Sequence, residues 1–441
     1  MSRPYLYLLV EEASREMLSR LLIARVAVAR GFSVVVGPQW WFWANREALP
    51  AGVMFFKGNN TIQATQMKAA RNAGHLVASI EEEALGVCDR EEIVRLYDPE
   101  AVENCSSIMV HGETQRGWLV DRFPHAADRI VVTGNPRTDL MDDEVIAATR
   151  SDMISRIGEI GEFILFNTNY ATFNPREGDT LRFYENCLAA GVLQAGDDAD
   201  MQYFRDWCDW EKNNLEHALA FLATLEREKC PLPVVVRPHP GERLEFWQDA
   251  LAGRSGFLVR REGDHIAWTS CAKMVAHTSC TTGLEAFLLD RPAVSLRSNR
   301  DEWDGKYMSN LVNHNEFEPA AAADWVLRHI RGDDDAVDDR DKAVAALDPH
   351  LRIEGLRAGV ILDVLEDLID RDGSSLSSRA GSPTHSVPVT KHQEAKFAGI
   401  DRSRVCRDLD ALRGLAAGEF DGGLEIKVEE GAPLVYRFQK A

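Results

Sequence analysis

Short apolar runs that each end in polar residues recur along this chain, and they limit its fold more than any other feature. Tyr5–Val10, Phe32–Val36, Gly52–Phe56 and His75–Ile80 are separated by stretches with helical spacing, and Ser107–Val110 and Ile130–Thr133 continue the series. Continuous apolar runs of this length suit strands buried on both faces of a parallel sheet. Between the first two, Met17, Leu21, Ile23 or Ala24, and Val28 recur toward one face of a helix that stops at Gly31. Strands alternating with helices predict a doubly wound α/β domain, closed by a helix over Asp143–Ile160.

Phe163–Phe166 opens a second series that ends in Asn167-Thr168-Asn169. A long helix is expected over Met201–Lys229, with Trp207, Trp210, Leu215, Leu219 and Leu222 on its apolar side. The strand Pro233–Arg237 follows, then the tight turn Pro238-His239-Pro240-Gly241-Glu242. The strand Met274–His277 runs into Thr278-Ser279-Cys280-Thr281-Thr282-Gly283 and an apolar helix from Leu284, before the strand Ala293–Leu296. Helices over Ala320–Ile330 and Leu356–Ile369 complete the series. The expected fold class is therefore α/β, with two Rossmann-like doubly wound domains at residues 1–160 and 161–372. Residues 373–395 are rich in Ser, Gly, Pro and Thr and read as a flexible linker. Residues 396–441 form a small appendage: a helix over Arg402–Ala417, then two period-two runs around Gly431 that read as a hairpin. Its expected role is docking on the main body or on a partner.

With 441 residues the chain exceeds one ordinary core, which agrees with two domains. A formal net charge of −20 argues against nucleic acid as a partner, since that binding rests on clustered Lys and Arg. The eight cysteines form no CxxC pair, so neither a zinc site nor a disulfide framework is expected. No apolar run reaches spanning length and the N-terminus has no leader pattern, which predicts a cytoplasmic protein. Peripheral membrane association and oligomeric state stay open.

Polar loops leaving the carboxyl ends of parallel strands are where open α/β sheets bind ligands, so the strand ends supply the candidates. Glu81-Glu82-Glu83 follows an apolar strand. Three adjacent carboxylates repel, so at least one should titrate high, and Glu83 or Glu82 is the candidate general base. The competing reading is a solvated acidic turn. His239, its backbone fixed by flanking prolines, would donate to a phosphate oxygen, with Arg237 adding charge. Thr278, Ser279, Thr281 and Thr282 crowd a helix N-terminus, which favours an anion, although ordinary N-capping uses the same groups. Glu285, one turn on, would bind ribose hydroxyls or be a surface carboxylate. Asn167, Thr168, Lys57, Asn59, His111, Asn135 and Arg137 stand at other strand ends, and Arg15 lies near the start of the first helix. The run Trp40-Trp41-Phe42-Trp43 would pack on a sugar or a membrane, or more ordinarily in the core. Asp197-Asp198-Ala199-Asp200 and Asp333-Asp334-Asp335 are read as ordinary acidic stretches, and no metal is assigned.

Taken in order, these residues resemble the GT-B glycosyltransferases of bacterial surface-polysaccharide biosynthesis, above all those using CMP-activated acidic sugars such as Kdo or sialic acid. Glu82-Glu83 looks like their paired-acid motif, with Ala84 where that motif ends in Gly. His239-Pro240 looks like their HP motif, and Thr278-Ser279 with Thr281-Thr282 like their phosphate-binding turn. The segment Val131–Arg137 is also similar to UDP-N-acetylglucosamine 2-epimerases, in which a Glu falls at the place of Glu83 and a Ser and a Glu six apart bind nucleotide, as Ser279 and Glu285 would. The resemblance covers residues 5–370. It implies a metal-independent glycosyltransferase with no cofactor beyond a nucleotide-sugar co-substrate. The acceptor would be a glycan or a lipid-linked glycan held by the first domain, and the nucleotide would lie on the second. A UDP-sugar 2-epimerase or hydrolase on the same scaffold, or a non-catalytic binding protein, are the alternatives.

Overall fold

The computed structural model describes residues 3–189, 191–298, 302–333, 340–376, 381–382, 384–416 and 424–441. The acidic residues Asp334 and Asp335, the linker residues 377–380 and 383, and the end of the helix expected to reach Ala417 lie outside them.

The packing divides the chain into two units. The first holds 1–85, 93–149 and 348–441, and the second holds 86–92 and 150–347. In the first, β1 (Tyr5–Val10), β2 (Ser33–Pro38), β3 (Gly52–Phe56), β4 (Leu76–Ile80), β5 (Ser107–Val110) and β6 (Ile130–Val132) form a parallel sheet in the order β2-β1-β3-β4-β5-β6. These strands are buried almost throughout because helices cover both faces. The helix Ala13–Ala29 is buried on nearly every side, since it lies among β1, β2, the helix Arg357–Asp372 and the helix Arg402–Ala411.

The second unit holds β7 (Ile164–Asn167), β8 (Val234–Arg237), β9 (Phe257–Val259), β10 (Met274–His277), β11 (Ala293–Leu296) and β12 (His314–Glu316), ordered β12-β11-β10-β7-β8-β9 and parallel throughout. Alternate residues serve opposite faces. Phe166, Val236 and Ala276 meet Phe221, Leu222 and Trp247 on one side, and Leu165, Val235 and Val275 meet Trp268 and Ala286 on the other.

Three features depart from the linear division expected at 160 and 372. The helix expected to close the first domain, found at Asp143–Gly158, is kinked at Arg150 (φ −130°, ψ 20°), and the units change hands at that kink. The helix Arg357–Asp372 belongs to the first unit, not the second: Ile361, Leu362, Leu365 and Leu368 bury against the helix Ala13–Ala29. The C-terminal hairpin, β13 (Ile426–Ala432) and β14 (Val435–Lys440), is part of the first sheet. There β14 pairs antiparallel with β2 (Phe438 opposite Val34) and extends the sheet to eight strands. Among the described residues no helix is long and apolar enough to cross a membrane.

Candidate active site

In the first unit the strand ends collect a dense set of charges. Glu81, after β4, is buried and accepts the Asn59 N–H at 2.7 Å and the Glu83 N–H at 3.3 Å. Burial pushes its carboxyl up to about 8 against those donors, with the charge of Glu83 a lesser contributor. One acid of the trio therefore titrates high, more from desolvation than from repulsion. Glu82 is buried too, paired with Arg20 at 3.2 Å and accepting from Asn135 Nδ2 at 3.3 Å. Only Glu83 opens to solvent, its side chain 48% exposed. Arg15 grips both of its oxygens at 3.1 and 3.2 Å, and Lys57 stands 4.0 Å away. Burial raises the Glu83 carboxyl, but Arg15 and Lys57 outweigh it and hold the group below its ordinary value.

Lys57 in turn bonds Glu11 at 2.7 Å. Burial works against the Glu11 anion, yet Lys57 and Lys396 hold it down at about 2. His111 is buried, which drives its imidazole down to about 4, and its Nε2 lies 3.1 Å from Asn135 Nδ2. Arg137 donates its N–H to Asn135 Oδ1 at 2.9 Å. Arg15, Lys57, Glu82, Glu83, Asn135 and Arg137 thus belong to one connected cluster at the carboxyl ends of β3, β4 and β6.

In the second unit three loops meet. After β8, His239 is exposed and its Nδ1 accepts the Gly241 N–H at 3.1 Å, so the neutral ring carries its proton on Nε2. The turn is held by Glu242, a fully buried carboxylate. It accepts the His239 N–H (3.2 Å), the Tyr170 N–H (3.1 Å), the Trp247 indole N–H (2.8 Å) and the Thr168 hydroxyl. Thr168 is thereby committed to the turn. Asn167 is buried at the end of β7. Arg237 is committed as well: it donates to the Glu262 and Gly263 carbonyls at 2.8 and 3.1 Å and lies over the Trp268 ring.

After β10 the turn enters the helix Thr281–Leu288 through Ser279, whose φ of +48° is a strained value for a residue with a Cβ. Thr278 Oγ donates to Asn169 Oδ1 (2.8 Å) and lies 3.0 Å from the Tyr170 hydroxyl. Ser279 Oγ is buried between Asn310, which donates to it at 2.9 Å, and Asp304 at 3.5 Å. Both hydroxyls brace the turn from behind. Cys280, Thr281 and Thr282 are its half-exposed face, and the first N–H groups of a helix have no partner within it. Gly283 is required here, because a Cβ would fall 2.2 Å from His277 Nε2. Glu285 is buried and pairs with His265 at 3.0 Å.

Glu242, Glu211, Asp304 and Asn310 carry much of this geometry and were not among the candidates. Glu242 had a local signal, lying in the Pro-His-Pro-Gly-Glu turn. Glu211 receives the Thr172 and Phe173 N–H groups at 2.8 and 2.9 Å from the middle of a long helix, which nothing nearby in sequence announces. Asp197 of the acidic stretch is a helix N-cap, accepting from Ala199 N and Asp200 N.

The sequence matches no protein-family model, and no curated protein matches it either. Solved structures do resemble it. A UDP-N-acetylglucosamine 2-epimerase aligns over 88% of this chain and 100% of its own, with a TM-score of 0.53 and 11% identity. The Methanocaldococcus jannaschii UDP-GlcNAc 2-epimerase in complex with UDP-GlcNAc and UDP covers 82% of this chain and 99% of its own (TM-score 0.50, 12% identity). The S. aureus MnaA–UDP structure covers 86% and 99% (TM-score 0.50, 12% identity). At such identities the likeness is one of fold: this chain is built as two Rossmann-like parallel sheets of the GT-B type.

Proposed function

We propose that this chain is a glycosyltransferase that moves a sugar from a nucleotide-activated donor, a CMP-linked acidic sugar being favoured, to a surface-glycan acceptor in the cytoplasm. The supporting observation is the turn of the second unit. An imidazole presenting Nε2–H and the opening N–H groups of the helix Thr281–Leu288 form donors suited to a leaving phosphate, with Thr281 and Thr282 beside them. Glu83, the open carboxylate of the acidic trio, would take the proton of the acceptor hydroxyl as that oxygen bonds to the anomeric carbon. The bond from that carbon to the phosphate oxygen breaks with its electron pair going to the phosphate. Arg15 and Lys57 orient Glu83, and Glu82 with Asn135 and Arg137 fixes the loop behind it.

The alternative is a UDP-sugar 2-epimerase or hydrolase, which the structural neighbours favour. Against it, Ser279 Oγ and the Glu285 carboxylate are already engaged, by Asn310 and by His265. The test is incubation with UDP-N-acetylglucosamine and no acceptor, beside a thermal-shift series with CMP, UDP, GDP and CDP. Stabilisation by one nucleotide without turnover of UDP-N-acetylglucosamine is expected. Release of UDP with an N-acetylated hexosamine would overturn the transferase reading.

A further inference from the structure

The tryptophan run takes no part in the site above, yet it borders a cavity of about 250 Å3 in the first unit. The cavity is lined by Trp40 and Trp41, by Thr384, His385 and Ser386, and by Leu434 of the hairpin turn, with the rest of its lining mainly apolar. The segment that carries His385 is held in place. Asn45 accepts the His385 N–H at 2.6 Å and donates to the His385 carbonyl at 3.2 Å, and Ser382 N bonds the Ala48 carbonyl at 2.8 Å.

The cavity lies at the carboxyl edge of the same sheet as the acidic trio. Trp40 follows β2, and the order β2-β1-β3-β4 puts three strand spacings between the ends of β2 and β4, about 14 Å at 4.8 Å each. The ground between is bonded on both sides. Gln39, next to Trp40, accepts from Gln63 Nε2 at 3.1 Å, and Gln63 and Glu81 both lie beside Gly58. Phe397 meets the Trp40 ring edge-on at 5.2 Å, and its neighbour Lys396 bonds Glu11 at 2.9 Å.

We propose that this cavity is a subsite for one sugar ring of the acceptor glycan, remote from the ring that reacts. The proposal rests on the acceptor assignment above and extends it to a specific place. Indole rings match the C–H faces of a pyranose, and the Thr384 and Ser386 hydroxyls and the His385 imidazole match its hydroxyls. An acyl chain would leave those polar groups unpaired. The volume lies below the roughly 300–1,000 Å3 of pockets for drug-sized ligands, which suits one ring. A short oligosaccharide spans the distance of about 14 Å between the ends of β2 and β4.

The test is binding of the full chain to a microarray of bacterial surface glycans, beside flotation with phosphatidylglycerol vesicles. Binding of trisaccharides or longer, at least tenfold weaker for Trp40→Ala and largely retained by Trp40→Phe, is the expected result. Should Trp40→Ala melt early through loss of the Phe397 contact, Ser386→Trp fills the cavity from the segment that carries His385 and is expected to abolish the same binding. Absence of glycan binding, equal binding by the filled variant, or vesicle binding that this variant abolishes would each overturn the subsite. Glycan binding that depends on Trp40 in a protein that turns over no nucleotide sugar would sink the transfer reaction and leave the subsite standing.

Discussion

Arg20 and Glu82 pair at 3.2 Å with side chains 0% and 3% exposed, behind the loop that carries Glu83. Such a pair adds little over an apolar replacement, but removing one partner strands a buried charge. Arg20→Ala is expected to lower the unfolding free energy by about 3–5 kcal/mol, whereas Arg20→Met with Glu82→Leu recovers much of that loss. Urea denaturation of the two variants checks the order, and equal losses would refute it.

Stability should fall as pH rises through neutrality. Burial holds Glu81 and Glu211 up at about 8 against an ordinary 4.5, so the folded state keeps protons that the unfolded chain has released. Their contribution is complete below 4.5 and is lost as pH passes through about 8. Glu81→Gln and Glu211→Gln should each flatten the melting temperature between pH 6 and pH 9, measured by calorimetry. A wild-type curve that rises across that range would contradict the assignment.

Glu242 acts on His239 through the backbone of their shared turn. Glu242→Ala strands the Trp247 indole and the Tyr170 N–H, while the His239 N–H keeps Thr168 Oγ at 3.2 Å, a loss of about 1–3 kcal/mol for each group left unsatisfied. Glu242→Gln keeps the shape and should cost less. His239→Ala should leave the melting temperature nearly unchanged and lower kcat about 10²-fold, as removal of one oxyanion donor does. A drop in stability matching that of Glu242→Ala would make His239 a structural residue only.

The hairpin covers the edge of β2. Phe438 and Tyr436 are 1% and 0% exposed, within the core of the first unit. Phe438→Ala is expected to cost about 3–5 kcal/mol. Ending the chain at Asp372 should leave β2 as a bare edge and give aggregates in size-exclusion chromatography. A soluble truncated monomer with wild-type melting would count against this role.

The strands were legible because strands buried on both faces need unbroken apolar runs, and Tyr5–Val10, Gly52–Phe56 and Met274–His277 are such runs. Which sheet a helix covers was not legible. The apolar stripe Ile361-Leu362-Leu365-Leu368 looks the same whether it closes the first sheet or the second. The strand-end placement of Glu81–Glu83 was also readable, but not the difference between two buried acids and an open one. That difference is set by Arg20 and Arg15, which lie on one helix and meet neighbouring acids. Ser279 and Thr278 looked like a ligand-facing pair because the sequence does not show Asp304 and Asn310 arriving behind Ser279, or Asn169 and Tyr170 engaging Thr278.

Because the first unit takes in the helix Arg357–Asp372 and the hairpin while the second is nearly one continuous stretch, synthesis order and completion order should be reversed. Domains usually fold as they emerge, N-terminal first. Here the leading residues would wait on the ribosome, their sheet lacking its last strands and its covering helix, until the stretch after Leu347 has emerged. Protease challenge of nascent chains stalled near Leu347 should find the trailing unit protected and the leading one still open to cleavage.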